Sequence, residues 1–337
     1  MKDKIFSILF VILAVPFLHV NAQQLIKNGG DYNYIILDDG VNINLVDKNF
    51  RAIGQMLNAT NVDNYIPAQD FIVMKEKNGY LVSYDITMKE LGRATIPANF
   101  TDNDYTVTNN YIMLKVNNNL ETFDKNFRKY GTFPLSSQIK NYWATDNYIL
   151  IKDNTTIAAY DKYFQKLNDR LANQYLKDVI TPDNYIVTKE VNLTPTGIPE
   201  NPNEEDDSYF IFDTKFNRMG SKKISTNLEK IYFKNDYILT KEGSHLYTYD
   251  QRFNRIGDKY IQSDLNEYLP ADGYIITKEG DNIFTYSANL LKMGEWQIKP
   301  DVQEIDASKD FILVKAKGYY YTFDTKLHSL AKIEVNN

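Results

Sequence analysis

The chain has 337 residues, no cysteine, 38 lysines and arginines against 44 acids, and a formal charge of −6 at pH 7. The missing cysteine excludes disulfides, thiolate metal sites, a cysteine nucleophile and a lipidated N-terminal cysteine. The acidic balance makes duplex nucleic acid a poor partner, because binding to its phosphates is driven by lysine and arginine.

Lys2 and Lys4 precede an apolar stretch from Ile5 to Val20, closed by Val20-Asn21-Ala22. A basic start, a short apolar run and small residues before a cleavage point predict a secretory signal peptide over residues 1–22, cut after Ala22. A membrane anchor needs about 20 apolar residues. This stretch is shorter and contains Pro16, and no later segment is apolar enough to span. The expected mature protein, residues 23–337, is secreted or periplasmic, monomeric and without a transmembrane anchor. Loss of Lys2, Asp3 and Lys4 takes its formal charge to −7. Without disulfides it must be held by its core, for which a domain of this size is ample.

From there the chain repeats itself. An aromatic residue opens an apolar run eight times, at Tyr34, Phe71, Tyr111, Tyr148, Tyr185, Tyr237, Tyr274 and Phe311, at intervals of 37, 40, 37, 37, 52, 37 and 37 residues. An apolar residue lies six positions earlier in seven copies, from Tyr65 to Ile305, and marks a first strand. Pairs such as Asp146-Asn147, Asp183-Asn184 and Asp272-Gly273 follow; they predict tight hairpins in which residues of this type tolerate positive φ. The opening aromatic then leads a second strand, apolar on both faces. A third ends in "YTYD" or "ETFD", with the aspartates of Asp47, Asp124, Asp161, Asp250 and Asp324 as turn caps. Three residues on stands a large apolar group, as at Phe127, and four further on, in six units, a glycine within a fourth strand.

Four strands in roughly 40 residues, repeated and buried on both faces, are the mark of propeller blades. One blade cannot cover both of its apolar faces, whereas neighbours in a closed ring can. The expectation is an all-β chain: a single eight-bladed β-propeller over residues 23–337, with an insert at 190–209 in the fifth blade. The units resemble those of NHL and PQQ-type propellers, which also contain a strand closing in "FD" or "YD", a turn and an apolar-glycine strand, in a WD40-like ring. That resemblance implies the fold and no activity.

Antiparallel order puts the turns between strands one and two, and three and four, on one face. The loops between strands two and three, and the crossovers between blades, lie on the other. On this second face seven units place a lysine four residues past the opening aromatic: Lys75, Lys115, Lys152, Lys189, Lys241, Lys278 and Lys315. These lysines, with the run Glu204-Glu205-Asp206-Asp207 in the insert, are the candidate ligand-binding residues. Lysine at a strand end also caps an apolar strand simply by reaching water. Glutamates follow several of them (Glu76, Glu190, Glu242, Glu279) and would weaken a positive field. The insert and a longer crossover, "ATIPANFTDNDY" at 94–105, both fall on this face, and loops on a rigid scaffold are where binding concentrates.

No catalytic constellation can be assembled. His245 and His328 lie near opposite faces, so neither a histidine-rich metal centre nor a cofactor site is expected. The leading reading is a binding or scaffold protein that contacts a protein or glycan through the insert-bearing face. The alternative is an extracellular carbohydrate-active enzyme, of polysaccharide lyase or lactonase type, working in the central channel with tyrosine and lysine.

Overall fold

In the computed structural model, residues 24–26, 33–57, 59–172, 175–191, 207–261, 265–297, 302–316 and 318–334 are described. The expected signal peptide lies outside them. Eight four-stranded antiparallel sheets follow one another in sequence, each with its strands in chain order. The seventh is representative: Leu265–Pro270, Tyr274–Glu279, Asn282–Ser287 and Lys292–Gln297. Its second strand is buried on both faces, with Tyr274, Ile275, Ile276 and Thr277 at most 2 % exposed. Alternation cannot show in such a strand, because each face meets another sheet.

The core is therefore divided among the gaps between sheets. Eight hydrophobic clusters occur among the described residues, and each joins two adjacent blades. The decisive one joins the last blade to the first, packing Phe311, Leu313 and Tyr320 on Ile35, Leu37 and Val46. The Thr322 hydroxyl donates to the Lys48 carbonyl across the same seam at 2.6 Å. The ring is closed, and it has eight blades.

Three recurring devices tie neighbours together. The first is the hydroxyl of the opening tyrosine. Tyr237 donates to the Ala271 and Tyr274 carbonyls at 2.8 Å, and Tyr148 to those of Pro182 and Tyr185 at 2.8 and 2.6 Å. Buried in this way, the phenol has its one donor satisfied by the neighbouring turn. Phe71 and Phe311 have no hydroxyl to offer, so the gap between blades 2 and 3 and the closing seam lack this bond.

The second is a close backbone approach. A Cβ on Gly54, Gly92, Gly131, Gly220, Gly257 or Gly294 would come within 3.0 Å of the next blade's turn between strands three and four, or of Thr248 for Gly257 as well. This is why the fourth strand carries glycine: the neighbour's turn occupies the space of a side chain. From the third strand beside it, Thr122 donates to the Lys162 carbonyl of the same neighbouring turn at 2.6 Å.

The third joins the fourth strand of one blade to a ring of the next. Phe133 meets Tyr160 at 5.2 Å between centroids and Trp296 meets Phe323 at 4.7 Å. In the middle of the chain the contact becomes cationic. Arg170 lies 4.6 Å over Phe212, Lys222 4.4 Å over Tyr249 and Lys259 4.8 Å over Tyr286. Each cation also pairs with a glutamate of that next blade: Glu190 at 2.9 Å, Glu242 at 3.2 Å and Glu279 at 3.5 Å. Three of the glutamates after the strand-end lysines, Glu190, Glu242 and Glu279, are thus counter-ions of the preceding blade, while Glu76 accepts from Asn78 and Tyr84 instead.

The hairpin turns differ from expectation. Between strands one and two, among the described residues, only Gly273 has positive φ, at 77°. In three blades a hydroxyl shapes the turn, from Thr108, Thr145 or Ser308; Thr145 Oγ1 accepts from the backbone N–H of Asn147 and of Tyr148. That leaves the Asp146 carboxylate to reach the preceding blade, where it accepts from the Asn109 backbone N–H and Nδ2, both at 2.7 Å. Such bonds run from blade to blade: Gln69 N–H to Asn109, Asp146 N–H to Asp183, and Asp183 N–H to Asn235. Burial, with the charge of Asp183 added, raises the pKa of Asp146.

Left-handed backbone appears instead in the turn between strands three and four, at the large apolar residue. Phe50, Met88, Phe127, Phe164, Phe216, Phe253, Leu290 and Leu327 all have φ between 58° and 66°. This conformation costs roughly 1–2 kcal/mol for a residue with a Cβ. The capping aspartate holds it, as expected of a cap: Asp250 Oδ1 accepts from the backbone N–H of Arg252 and of Asn254, both at 2.8 Å. In return the side chain is turned into the interface, where Phe253 sits 6.2 Å from Tyr249.

Candidate functional site

The lysines at the ends of the second strands do not form a free positive rim. Lys75 bridges Asp63 and Asp102 at 2.9 Å each, and hydrogen bonding to Asp102, then Asp63, raises its pKa. Lys189 lies 3.4 Å from Asp207, Lys241 pairs with Glu229, and Lys115 is 4.0 Å from Asp104. Lys315 sits 5.8 Å over the Tyr320 ring. Lys152 and Lys278 have no ion-pair partner among the described residues. The available cations are therefore Lys152, Lys278, Lys315 and the half-exposed Lys115.

The acidic run of the insert divides at the start of a strand. Glu204, Glu205 and Asp206 lie outside the described residues. Asp207 opens the third strand of blade 5, Asp207–Phe212, and its side chain is 3 % exposed. Lys177 holds it at 2.8 Å together with Lys189. A carboxylate buried this deeply is retained because it is paired, so Asp207 anchors the base of the insert on the sheet. Composition alone gives no sign of this, since the four acids read as one solvated run.

Two clefts flank blade 2 on this face. One, of about 270 Å³, is lined by residues that include Asp38, Gly40, Thr60, Asp63, Tyr65 and Lys77. The other, of about 310 Å³, lies under the long crossover and is lined by Pro97, Asn99, Phe100, Asp104, Lys115 and the turn Asn117-Asn118. Both turn asparagines are left-handed, with φ of 50° and 67°. The crossover is well built: Asp104 Oδ2 accepts from the Thr101 backbone N–H and hydroxyl at 2.8 Å, and Phe100 stacks on Tyr105 at 5.8 Å. The longer interval of 40 residues is the sequence signal for this element, and the countercharges Asp63, Asp102 and Asp104 are what the repeat pattern does not reveal.

No group of three or more histidines or acids positioned to hold a metal occurs among the described residues. His328 Nδ1 lies 2.8 Å from Asp324 on the aspartate-capped face, while His245 stacks on Tyr247 on another strand end. Burial pushes the phenols of Tyr84, Tyr105, Tyr268 and Tyr320 up to about 12. A tyrosine acting as general base needs the opposite displacement.

No protein-family model matches the chain, and no curated protein matches its sequence. Among solved structures, a crystal structure of a eukaryotic initiation factor superposes with a TM-score of 0.58 over 91 % of this chain and 87 % of that one, at 9 % identity. BamB from Moraxella catarrhalis gives 0.44 at 10 % identity, covering 89 % of this chain and 95 % of its own. The C-terminal WD40 domain of Sif2 gives 0.46 at 13 % identity, covering 82 % and 87 %. At this identity the first similarity establishes the shared propeller architecture and leaves function to be argued from the surface.

Proposed function

We propose that this propeller is an exported, non-catalytic binding scaffold that holds a protein or glycan partner against the face bearing the insert. The observation that carries the reading is where the repeat breaks. The strand ends Val191 and Asp207 that the insert joins, the Ile96–Asp104 crossover and the two clefts beside blade 2 all lie on one face. A rigid ring with variable loops on one side is suited to binding. Lys115, Lys152, Lys278 and Lys315 supply positive charge there, and Glu204, Glu205 and Asp206 supply negative charge from the insert. Export is inferred from the signal peptide that the sequence predicts over residues 1–22.

The test compares the mature protein with a form lacking residues 192–206 and with the pair Lys152→Glu/Lys278→Glu. Each is immobilised and exposed to envelope or culture-fluid fractions of the source. The expected result is capture of a defined partner by the parent, weakened at least tenfold, about 1.4 kcal/mol, in one of the altered forms. Equal capture by all three removes this face from the function.

A further inference from the structure

A second set of departures from the repeat lies on the opposite face, and it converges on one place. In the fourth strand, the residue three after the left-handed one is Ile53, Leu91, Leu167, Met219, Ile256, Met293 or Leu330 in seven blades and Tyr130 in blade 3. In the aspartate-capped turn, the residue before the left-handed one is Asn, Thr, Lys or Arg in seven blades and Tyr163 in blade 4. These two exceptions touch. Their rings meet edge to face with centroids 5.2 Å apart, and Lys162 Nζ lies 4.6 Å from one and 5.5 Å from the other. Tyr163 is 49 % exposed, unusual for a large ring in this molecule.

Tyr130 also forms one wall of a polar cavity of about 250 Å³ between blades 2 and 3, shared with Asp70, Asn110, Asp124, Lys125 and Asn126. Lys125 spans it to Asp70. The gap exists at the interface where Phe71 stands in place of the hydrogen-bonding tyrosine. Several polar groups around it are uncommitted within the protein. Asn110 uses its amide N–H on the Asp146 carbonyl and keeps its oxygen. Asp124 spends Oδ1 on the backbone N–H of Asn126 and of Arg128, leaving Oδ2. The Asn126 carboxamide and the Tyr130 hydroxyl have no protein partner among the described residues.

A polar cavity with carboxamide and carboxylate groups in its lining and the Tyr130 ring as one wall, itself packed on Tyr163, matches the chemistry of a sugar ring, whose hydroxyls hydrogen-bond and whose C–H face packs on aromatic carbon. We propose that this cavity is a carbohydrate subsite for a neutral hexose or N-acetylhexosamine unit of a glycan. The lining itself carries Asp70 and Asp124 against Lys125 alone, and Lys125 is already paired with Asp70, which disfavours a uronate even with Lys162 over the neighbouring rings. The ring at 130 supplies the packing face, held in place by Tyr163 of the next blade, and Asn110, Asp124 and Asn126 supply the hydrogen bonds. This site shares no residue with the loop face proposed above, so each fails or stands separately.

The test titrates the mature protein calorimetrically with cellohexaose, mannohexaose and N-acetylchitohexaose, with oligogalacturonate as the charged control. Tyr130→Leu and Tyr163→Asn each restore a residue that other blades carry at the same place, so both variants keep the fold. The expected result is binding of at least one neutral hexasaccharide, weaker by about tenfold, or 1.4 kcal/mol, in each variant. A parent that binds none of the three, binds oligogalacturonate best, or binds equally well after both substitutions would overturn the proposal.

Discussion

Gly294→Ala is expected to destabilise the protein by about 3 kcal/mol, at the upper end of what an overpacked contact costs. The reason is specific. The new methyl would stand against the Lys326 backbone of the closing blade's turn, well inside contact distance. Backbone carbonyls cannot rotate aside as a flexible side chain can, so the fourth strand of blade 7 must back away from blade 8. That movement loosens the cluster containing Tyr274, Ile276, Phe323 and Leu327. Thermal unfolding reads the effect as a fall in Tm of roughly 2 °C per kcal/mol for a large domain. The same position is Asn168 in blade 4, whose Nδ2 reaches the Lys215 carbonyl at 2.5 Å, and Ala331 in blade 8. At those two gaps the neighbour already leaves room, so Ala331→Gly changes stability by less than about 1 kcal/mol. An unaltered Tm for Gly294→Ala would show that the close approach does not set the spacing of the blades.

Glu190→Leu is the second large effect, also about 3 kcal/mol, and it arises differently. Glu190 has a side chain only 8 % exposed and holds Arg170, 21 % exposed, across the gap between blades 4 and 5. Thr188 Oγ1 also donates to it, at 2.5 Å. Removing the carboxylate leaves a guanidinium between two sheets with Phe212 beneath it and no counter-ion from Glu190. An unpaired charge there is worse than no charge at all. The double variant Arg170→Met/Glu190→Leu should therefore recover most of the lost stability in urea unfolding. If the double variant is as unstable as the single one, packing volume rather than charge governs this gap.

Both expectations depend on contacts between neighbours, and these are what the repeat conceals. The strands, their order and the number of blades are legible because the opening aromatic recurs in eight units and a capping aspartate follows it in seven, with Ser287 in the other. A run buried on both faces can only belong to a sheet with a sheet on either side. The six glycines are visible too, but their reason is not: the atoms that exclude a side chain at Gly294 belong to Lys326, in the next blade. Arg170, Lys222 and Lys259 look like surface cations of an edge strand until the glutamate and ring of the following blade are placed against them. The turn aspartates mislead in the same way. Asp146 suits a hairpin locally, yet its carboxylate is spent on Asn109 of the blade before.

The candidate site was legible only as a face. Seven lysines at one register look like a ring of charge, and the structure divides them among Asp63, Asp102, Asp104, Asp207 and Glu229, with Lys152, Lys278 and Lys315 left over. A one-dimensional repeat shows which residues share a level and not which acids arrive from crossovers. Symmetry is informative chiefly where it fails, as with Tyr130 and Tyr163.

Every interface described depends on closure of the ring, and the cysteine-free chain allows a clean measurement of it. Spin labels on Lys48→Cys in blade 1 and Ser329→Cys in blade 8 report the distance across the seam by pulsed electron resonance. The closed ring, in which Thr322 meets the Lys48 carbonyl, gives one narrow population at the shortest distances the method resolves. A broad or long-distance population, as an open stack of sheets would give, would contradict the closed eight-bladed ring.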